Sequence, residues 1–245
     1  MTAPAKAVVI GVGPEAGLGA RLAERFASLG LHVFVAGRTA AQIDRVVRSI
    51  TINDGLATAV ATDATDEAAV VALFERAAAE GDGPIDLAIY NAGNNTPGRI
   101  VDMTADYFER SWRVGCFGGF LFGREALRRM VPQGHGTILF TGASASLRGR
   151  PNFGAFNSAK GALRNLAQAM AKEYGPQHIH VGHVVIDGPI GGDKIIKGFP
   201  EYAERLGEEG LINLEGIVDA FQYLYKQPRT AWSFEVDVRT SIERW

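Results

Sequence analysis

A glycine-rich stretch near the start of the chain has the residue types and spacing of a phosphate-binding turn. The stretch GVGPEAGLG places Gly13, Gly17 and Gly19 between an apolar run, residues 7–10, and a helical pattern, residues 20–29. Glycines let the backbone approach a pyrophosphate closely, and the free N–H groups at the start of the following helix point towards its negative charge. The context predicts a dinucleotide site, whereas a glycine turn taken alone would be an ordinary tight turn.

The end of the second apolar run indicates which dinucleotide would bind. In sites selective for NAD, an acidic residue at this point bonds the ribose hydroxyls and would repel a 2′-phosphate. Here Ala36 and Gly37 precede Arg38. These residues leave room for a phosphate and offer it a bidentate cation. They favour NADP over NAD, and the alternative is that Arg38 is a solvated surface charge.

These motifs resemble the short-chain dehydrogenase/reductase family, and the resemblance covers nearly the whole chain. The glycines keep the family's Gly-x3-Gly-x-Gly spacing, and residues 91–93 match its Asn-Ala-Gly motif. Asp63 stands where a family aspartate meets adenine, although an Asp or Asn in such a place is more often an ordinary loop residue. After strand six, Ile190 corresponds to the residue that contacts the nicotinamide carboxamide. The resemblance implies these cofactor-binding residues: Gly13, Gly17, Leu18, Gly19, Arg38, Asp63, Asn91, Ala92, Gly93, Lys160 and Ile190.

The sequence departs from the family pattern at the positions that would carry the chemistry. Family members reduce a carbonyl with a Tyr-x3-Lys pair, a serine and an asparagine, because a developing alkoxide needs a proton donor and hydrogen bonds. The sequence retains Lys160, which would hold the ribose, but it has Phe156 for the tyrosine, Ala143 for the serine and Gly115 for the asparagine. Ser144, one position after Ala143, is a hydroxyl that could turn in as a replacement. Ordinary ketone reduction should therefore be slow.

Alternating strand-like and helix-like segments must position these residues. Short apolar runs predict strands at residues 7–10, 32–36, 57–61, 85–90, 137–141, 181–186 and 233–239. Helical spacing predicts helices at residues 20–29, after a capping box at Thr39, and at residues 66–80, 108–130, 153–174 and 214–227. This alternation predicts an α/β fold: a single-domain, doubly wound parallel sheet of the Rossmann-like type over residues 1–245.

One segment breaks the pattern. Residues 187–210 combine glycines, prolines and mixed charge. They predict a mobile segment over the active-site cleft, and the alternative is a featureless surface loop.

Composition and charge limit the classes of partner. A net charge of −2 gives no basic excess for nucleic acid or an anionic membrane surface. No run approaches the roughly 18 apolar residues of a membrane span, and residues 1–6 lack a signal-peptide layout. The lone Cys116 cannot form an internal disulfide. His180 and His183 would point to opposite faces of a strand, which argues against a metal site. We expect a cytoplasmic protein that binds a small-molecule substrate.

Apolar residues on the helices at 108–130 and 153–174 predict a homo-dimer or homo-tetramer.

Two functions fit these observations. The first is an NADP(H)-dependent oxidoreductase with a degenerate catalytic set. Its substrate could carry its own proton, as an iminium does, or the proton could come from Ser144, water or the 187–210 segment. The second is a catalytically weak or inactive NADP(H)-binding sensor or assembly protein. Lys160 fits both functions. The sequence retains the family's motifs in their order along the chain, which favours the enzyme.

Overall fold

Seven parallel strands form one sheet in the computed structural model, which describes residues 3–93, 95 and 97–243. The strands are β1 (Lys6–Ile10), β2 (His32–Gly37), β3 (Leu56–Ala61), β4 (Ile85–Tyr90), β5 (Gly136–Thr141), β6 (Ile179–Ile186) and β7 (Glu235–Val238). Their order across the sheet is β3-β2-β1-β4-β5-β6-β7. The order reverses between β1 and β4, and a crevice opens at such a switch point beyond the carboxyl ends of the strands.

Helices cover both faces of the sheet. They are α1 (Leu18–Ser28), α2 (Ala40–Ile52), α3 (Glu67–Ala79), α4 (Ala105–Trp112), α5 (Gly118–Gln133), α6 (Gly154–Tyr174), α7 (Asp193–Ile196), α8 (Pro200–Leu206) and α9 (Leu214–Tyr225). Every residue of β1 is buried. Two consecutive residues of this strand, Val8 and Val9, belong to the hydrophobic cores on opposite faces of the sheet. This two-sided burial explains why the strands read as continuous apolar runs. The predicted α/β, doubly wound fold is confirmed; residues 1, 2, 94, 96, 244 and 245 of the predicted domain lie outside the described residues.

The helix predicted over residues 108–130 is two helices joined by a wider turn. Helix α4 ends at Trp112, a π-helical turn covers Arg113–Phe117, and α5 follows directly. The buried Tyr90 hydroxyl donates a hydrogen bond of 2.6 Å to the carbonyl of Val114 within this turn. A Cβ at position 118 would lie 2.4 Å from the same hydroxyl, so the glycine there makes room for Tyr90. Tyr90 thus supports the turn from the adjoining strand.

One helix start and one apolar surface also differ from the sequence predictions. Thr39 precedes α2, but its side chain makes no capping hydrogen bond within the described residues, so the predicted capping box does not form. Thr104 does cap α4, because its hydroxyl accepts a hydrogen bond of 3.2 Å from the Tyr107 amide. Several apolar residues expected to form a surface for self-association instead pack inside the protomer: Leu121, Phe122, Leu163 and Met170.

The segment at residues 187–210 is partly helical, since it contains α7 and α8. The first part of this segment contacts the glycine-rich turn, because the Asp193 amide donates a hydrogen bond of 3.2 Å to the carbonyl of Ala16. Ile190 pairs with Ile212 in an isolated bridge. The predicted mobility of the segment stays a prediction. Among the described residues, no helix has the length and apolar character needed to cross a membrane.

Candidate functional site

The glycine-rich turn packs closely against the chain that follows β4. Gly11 has a φ of +88°, and a Cβ there would lie 2.4 Å from the Ala92 nitrogen. A Cβ on Gly19 would lie 2.8 Å from the Gly11 carbonyl oxygen. Both positions therefore require glycine for internal reasons. Gly11 lies outside the cofactor-binding set predicted from the sequence, although it opens the same glycine-rich stretch.

Gly13 differs from its neighbours, because the surrounding protein does not explain why it is glycine. An added Cβ would meet only the Gln42 Oε1, at an ordinary 3.7 Å. The residue is half-buried and faces open space at the carboxyl end of β1. Helix α1 starts at Leu18, after Gly17, and among the described residues no N-cap side chain bonds its first amides. An open backbone followed by uncapped amides is a fitting cradle for a phosphate group.

Asn91 ties together the carboxyl ends of three strands. Its Nδ2 donates a hydrogen bond of 3.2 Å to the Gly11 carbonyl, and its Oδ1 accepts one of 2.9 Å from the Thr141 hydroxyl. Gly93 follows two residues later, where a Cβ would lie 3.5 Å from the Lys160 Nζ. The Asn-Ala-Gly motif, residues 91–93, therefore links the glycine-rich turn to Lys160.

Lys160 is buried in α6 without a carboxylate partner in the described part of the chain. Its Nζ donates a hydrogen bond of 2.7 Å to the carbonyl of Thr141. Burial lowers the pKa of its amino group to about 8. Burying an unpaired ammonium opposes folding. A titratable group held in such a position is a candidate functional residue.

The positions expected to carry the chemistry lie near Lys160, but they present few polar groups. Phe156 lies one helical turn before Lys160 on α6 and is half-buried. Ala143 follows β5, and Ser144 starts a short 3-10 turn that ends at Ser146. A Cβ on Gly115 would lie 2.5 Å from the Ala159 Cβ, so α6 packs directly on the π-helical turn. The side chain that the family resemblance implies at position 115 has no space there.

The adenine-side residues of the predicted set lie at the same edge of the sheet. Arg38 follows β2 and is exposed. Asp63 follows β3, and its Oδ1 accepts hydrogen bonds of 2.8 Å from both the amide and the hydroxyl of Thr65. Asp63 thus shapes its own loop. Ile190 is half-buried after β6.

A partly buried polar network behind Ala143 was not anticipated from the sequence. The His183 Nε2 lies 3.4 Å from the Ser146 Oγ, and its Nδ1 lies 2.9 Å from the Glu235 Oε2. Glu235 also accepts hydrogen bonds of 2.6 and 2.8 Å from Arg164. Burial lowers the pKa of His183 to about 4. Within residues 3–93, 95 and 97–243, no group of His, Cys, Asp and Glu side chains is arranged to hold a metal ion.

Comparison with known proteins identifies the family. The family model described as short chain dehydrogenase matches residues 6–190. A crystal structure of a short-chain dehydrogenase from Rhodopseudomonas palustris is 36% identical, covers 96% of this chain and 98% of its own, and superposes with a TM-score of 0.82.

Characterised relatives carry the names of dehydrogenases and reductases. Versicolorin reductase 1 of Dothistroma septosporum is 31% identical over 196 residues, which are 80% of this chain and 73% of the relative. The cis-4-hydroxycyclohexanecarboxylate dehydrogenase of Sinomonas cyclohexanicum is 33% identical over 181 residues, which are 74% of this chain and 72% of the relative.

Proposed function

This chain belongs to the short-chain dehydrogenase family, and we propose that it is an NADP(H)-dependent oxidoreductase with a degenerate catalytic set. The observation that carries the proposal is Lys160, a buried ammonium without a carboxylate partner among the described residues, which lies beside Gly93 of the Asn-Ala-Gly motif. Such a group costs stability, and a binding role explains its retention. Names of relatives as reductases and dehydrogenases support redox chemistry.

The cofactor preference rests on the ends of β1 and β2. The open face of Gly13 and the uncapped start of α1 would hold the pyrophosphate. Ala36 is fully buried at the end of β2, and exposed Arg38 would pair with a 2′-phosphate. Lys160 would hold the ribose, and Ile190 would contact the carboxamide. A bound nicotinamide supplies or accepts a hydride.

The proton is the unusual part of the proposed chemistry. Neither the Phe156 nor the Ala143 side chain has an atom that could donate a proton or a hydrogen bond. A missing general acid costs about 10²–10⁴ in rate, and a missing oxyanion donor costs about 10²–10³. We therefore expect a substrate that carries its own proton, such as an iminium, or a proton from Ser144, water or the 187–210 segment. That segment, proposed to be mobile, would cover the cleft.

The cofactor preference is tested by calorimetry with NADPH and NADH on wild type, Arg38→Ala and Arg48→Ala. Arg48 is an exposed arginine on α2 and serves as the matched control. Because a hydrogen bond to a charged group contributes about 1.5–3 kcal/mol, the wild type should bind NADPH at least about tenfold tighter than NADH. Arg38→Ala should remove most of that preference, and Arg48→Ala should retain it. Equal affinity of the wild type for both cofactors would refute the NADP assignment.

The alternative function is a catalytically weak or inactive NADP(H)-binding sensor or assembly protein, and the close packing of Gly115 on α6 favours it. A double variant, Phe156→Tyr with Ala143→Ser, separates the two functions. If the cleft admits carbonyl compounds, the double variant should oxidise NADPH with activated ketones at least about tenfold faster than wild type. A variant that binds NADPH and stays inert would favour the alternative function.

Self-association is part of the proposal. Phe108, Trp112 and Phe120 are exposed on α4 and α5. The Phe117 ring lies 6.4 Å from Trp112 and 6.2 Å from Phe120, which makes one aromatic surface. A surface of this kind is typical of an interface, so we propose a homo-dimer or homo-tetramer. A mass of 26.2 kDa by light scattering at micromolar concentration would contradict it.

The proposed setting is the cytoplasm, with a small-molecule substrate and no nucleic-acid partner. The net charge of −2 supports the absence of a nucleic-acid partner.

A further inference from the structure

One charged pair stands at the cleft edge with no part in the chemistry described above. Arg148 lies in the loop after β5, and its Nη2 donates hydrogen bonds of 2.8 and 3.0 Å to the two oxygens of Asp187. Asp187 directly follows β6 and is 1% exposed, whereas the Arg148 side chain is 40% exposed. The pair therefore fixes a solvent-facing guanidinium between the ends of two neighbouring strands.

The backbone around Arg148 is also held in place. The Asn157 Nδ2 donates a hydrogen bond of 2.6 Å to the Arg148 carbonyl, and the Arg148 amide donates one of 3.1 Å to the Ser144 carbonyl. The Asp187 amide bonds Val238 of β7 at 2.9 Å. An arginine that is ordered in advance loses little conformational entropy when it binds a ligand.

The guanidinium has donors that no described residue uses. An arginine carries five N–H donors, and within the described part of the chain only the Nη2 of Arg148 has a protein acceptor. Its Nε and Nη1 donors remain available to an acceptor from solution. Arg239 also approaches Asp187, at 3.6 Å, and pairs with Asp237. The buried carboxylate is thus shared by two guanidinium groups, which weakens its hold on the charge of Arg148.

Large apolar side chains are exposed at the same edge of the sheet as this cation. The loops after β4, β5 and β6 each expose large apolar residues, and the first two loops are joined by a hydrogen bond of 2.7 Å from the Gly98 amide to the Asn152 carbonyl. Ile100 lies against the start of α6, because a Cβ on Gly154 would be 3.0 Å from it. The exposed apolar residues of these loops are Ile100, Val101, Leu147, Ile196 and Phe199. Small-molecule sites combine apolar side chains with a few fixed polar groups, and Arg148 is one such group at this edge.

We propose that Arg148 binds a carboxylate, so that the substrate class is an apolar molecule with a carboxylate group. This proposal rests on the proposed function for the statement that the ligand is a substrate. The guanidinium would bond the carboxylate through its remaining donors, and the apolar loops would cover the body of the molecule. Asp187 acts as a positioning residue that holds the guanidinium in place.

The test measures binding of 3-phenylpropionate and its amide, 3-phenylpropionamide, to the full chain by calorimetry, with and without saturating NADP⁺. Wild type should bind the acid at least about tenfold tighter than the amide, since the charge-assisted bond is made only by the acid. Arg148→Met keeps the apolar stem of the arginine and should abolish that preference, and Arg148→Lys should retain part of it. Arg150→Met is the matched control, because Arg150 lies in the same exposed loop and its guanidinium stacks on Phe153.

Several outcomes would overturn the proposal. They are equal binding of acid and amide by wild type, an unchanged preference in Arg148→Met, loss of the preference in Arg150→Met, and no binding of either probe at millimolar concentration. NADPH affinity is measured for each variant in the same series. Absent NADPH binding with a retained acid preference would refute the proposed function alone, whereas normal NADPH binding without the preference would refute the carboxylate site alone.

Discussion

Lowering the pH should destabilise the folded chain through one buried histidine. His183 is fully buried, lies between Ser146 and Glu235, and has its pKa lowered by burial to about 4. In an unfolded chain a histidine titrates near 6.5. Between these two values the unfolded chain binds a proton that the folded chain excludes. The contribution of His183 to stability is therefore complete above about pH 6.5 and is lost as the pH falls towards about 4.

The size of the effect follows from the difference between the two pKa values. Each pKa unit corresponds to about 1.4 kcal/mol, so His183 accounts for a loss of about 3 kcal/mol across the whole interval. The free energy of unfolding should fall by about 1 kcal/mol per pH unit between about pH 6 and pH 5 from this group alone.

Urea unfolding of three proteins between about pH 5 and pH 7 measures this slope. His183→Asn removes the buried imidazole and keeps an amide near Glu235. His178→Asn is the control, because His178 is exposed and has a φ of +67°, which asparagine tolerates. Wild type and His178→Asn should share the steeper slope, and His183→Asn should be flatter by about 1 kcal/mol per pH unit. Equal slopes for all three proteins would mean that His183 is charged in the folded state, paired with Glu235, and would refute the reasoning.

Three further predictions concern the turn, the buried lysine and the aromatic surface. Gly11→Ala should lower the free energy of unfolding by at least about 2 kcal/mol in urea, because of its positive φ and the clash with Ala92; a change below about 0.5 kcal/mol would contradict this. Lys160→Met should raise the stability of the cofactor-free protein by about 1–3 kcal/mol at neutral pH and weaken NADPH binding at least about tenfold by calorimetry. Unchanged NADPH affinity would exclude Lys160 from the cofactor site. Trp112→Lys should reduce the oligomer to a mass of 26.2 kDa in light scattering, with Ile52→Lys, an exposed residue on α2, as the control that keeps the wild-type mass.

The fold could be predicted from the sequence because its signals are local. Strand β1 is buried on both faces, so every residue from Ala7 to Ile10 is apolar. The π-helical turn could not be predicted, because residues 113–117 read as ordinary helix and the turn depends on a hydrogen bond from Tyr90 in another strand. The sequence at Thr39 matches the pattern of a capping box, yet the Thr39 side chain makes no capping hydrogen bond within the described residues.

The candidate site was predictable as a set of positions and not as a set of contacts. Asn91 and Lys160 could be identified from motif spacing. Their partner Thr141 lies 50 residues from Asn91 and 19 from Lys160 in sequence, and no spacing rule connects such residues. The network of His183 and Glu235 joins positions 52 apart, and its histidine is visible in the sequence only as a member of an apparent metal cluster.

The packing of Gly115 restricts how this site can change during evolution. A Cβ at position 115 would lie 2.5 Å from the Ala159 Cβ, so any larger residue must displace α6 or wait for Ala159 to become glycine. Displacing α6 would move Lys160 as well, because Ala159 and Lys160 are consecutive residues of that helix. Asparagine at position 115 is therefore compatible with the present place of Lys160 only after a smaller residue replaces Ala159. Any route from glycine to asparagine at position 115 that leaves Lys160 in place is an ordered, two-step mutational path in which position 159 changes first.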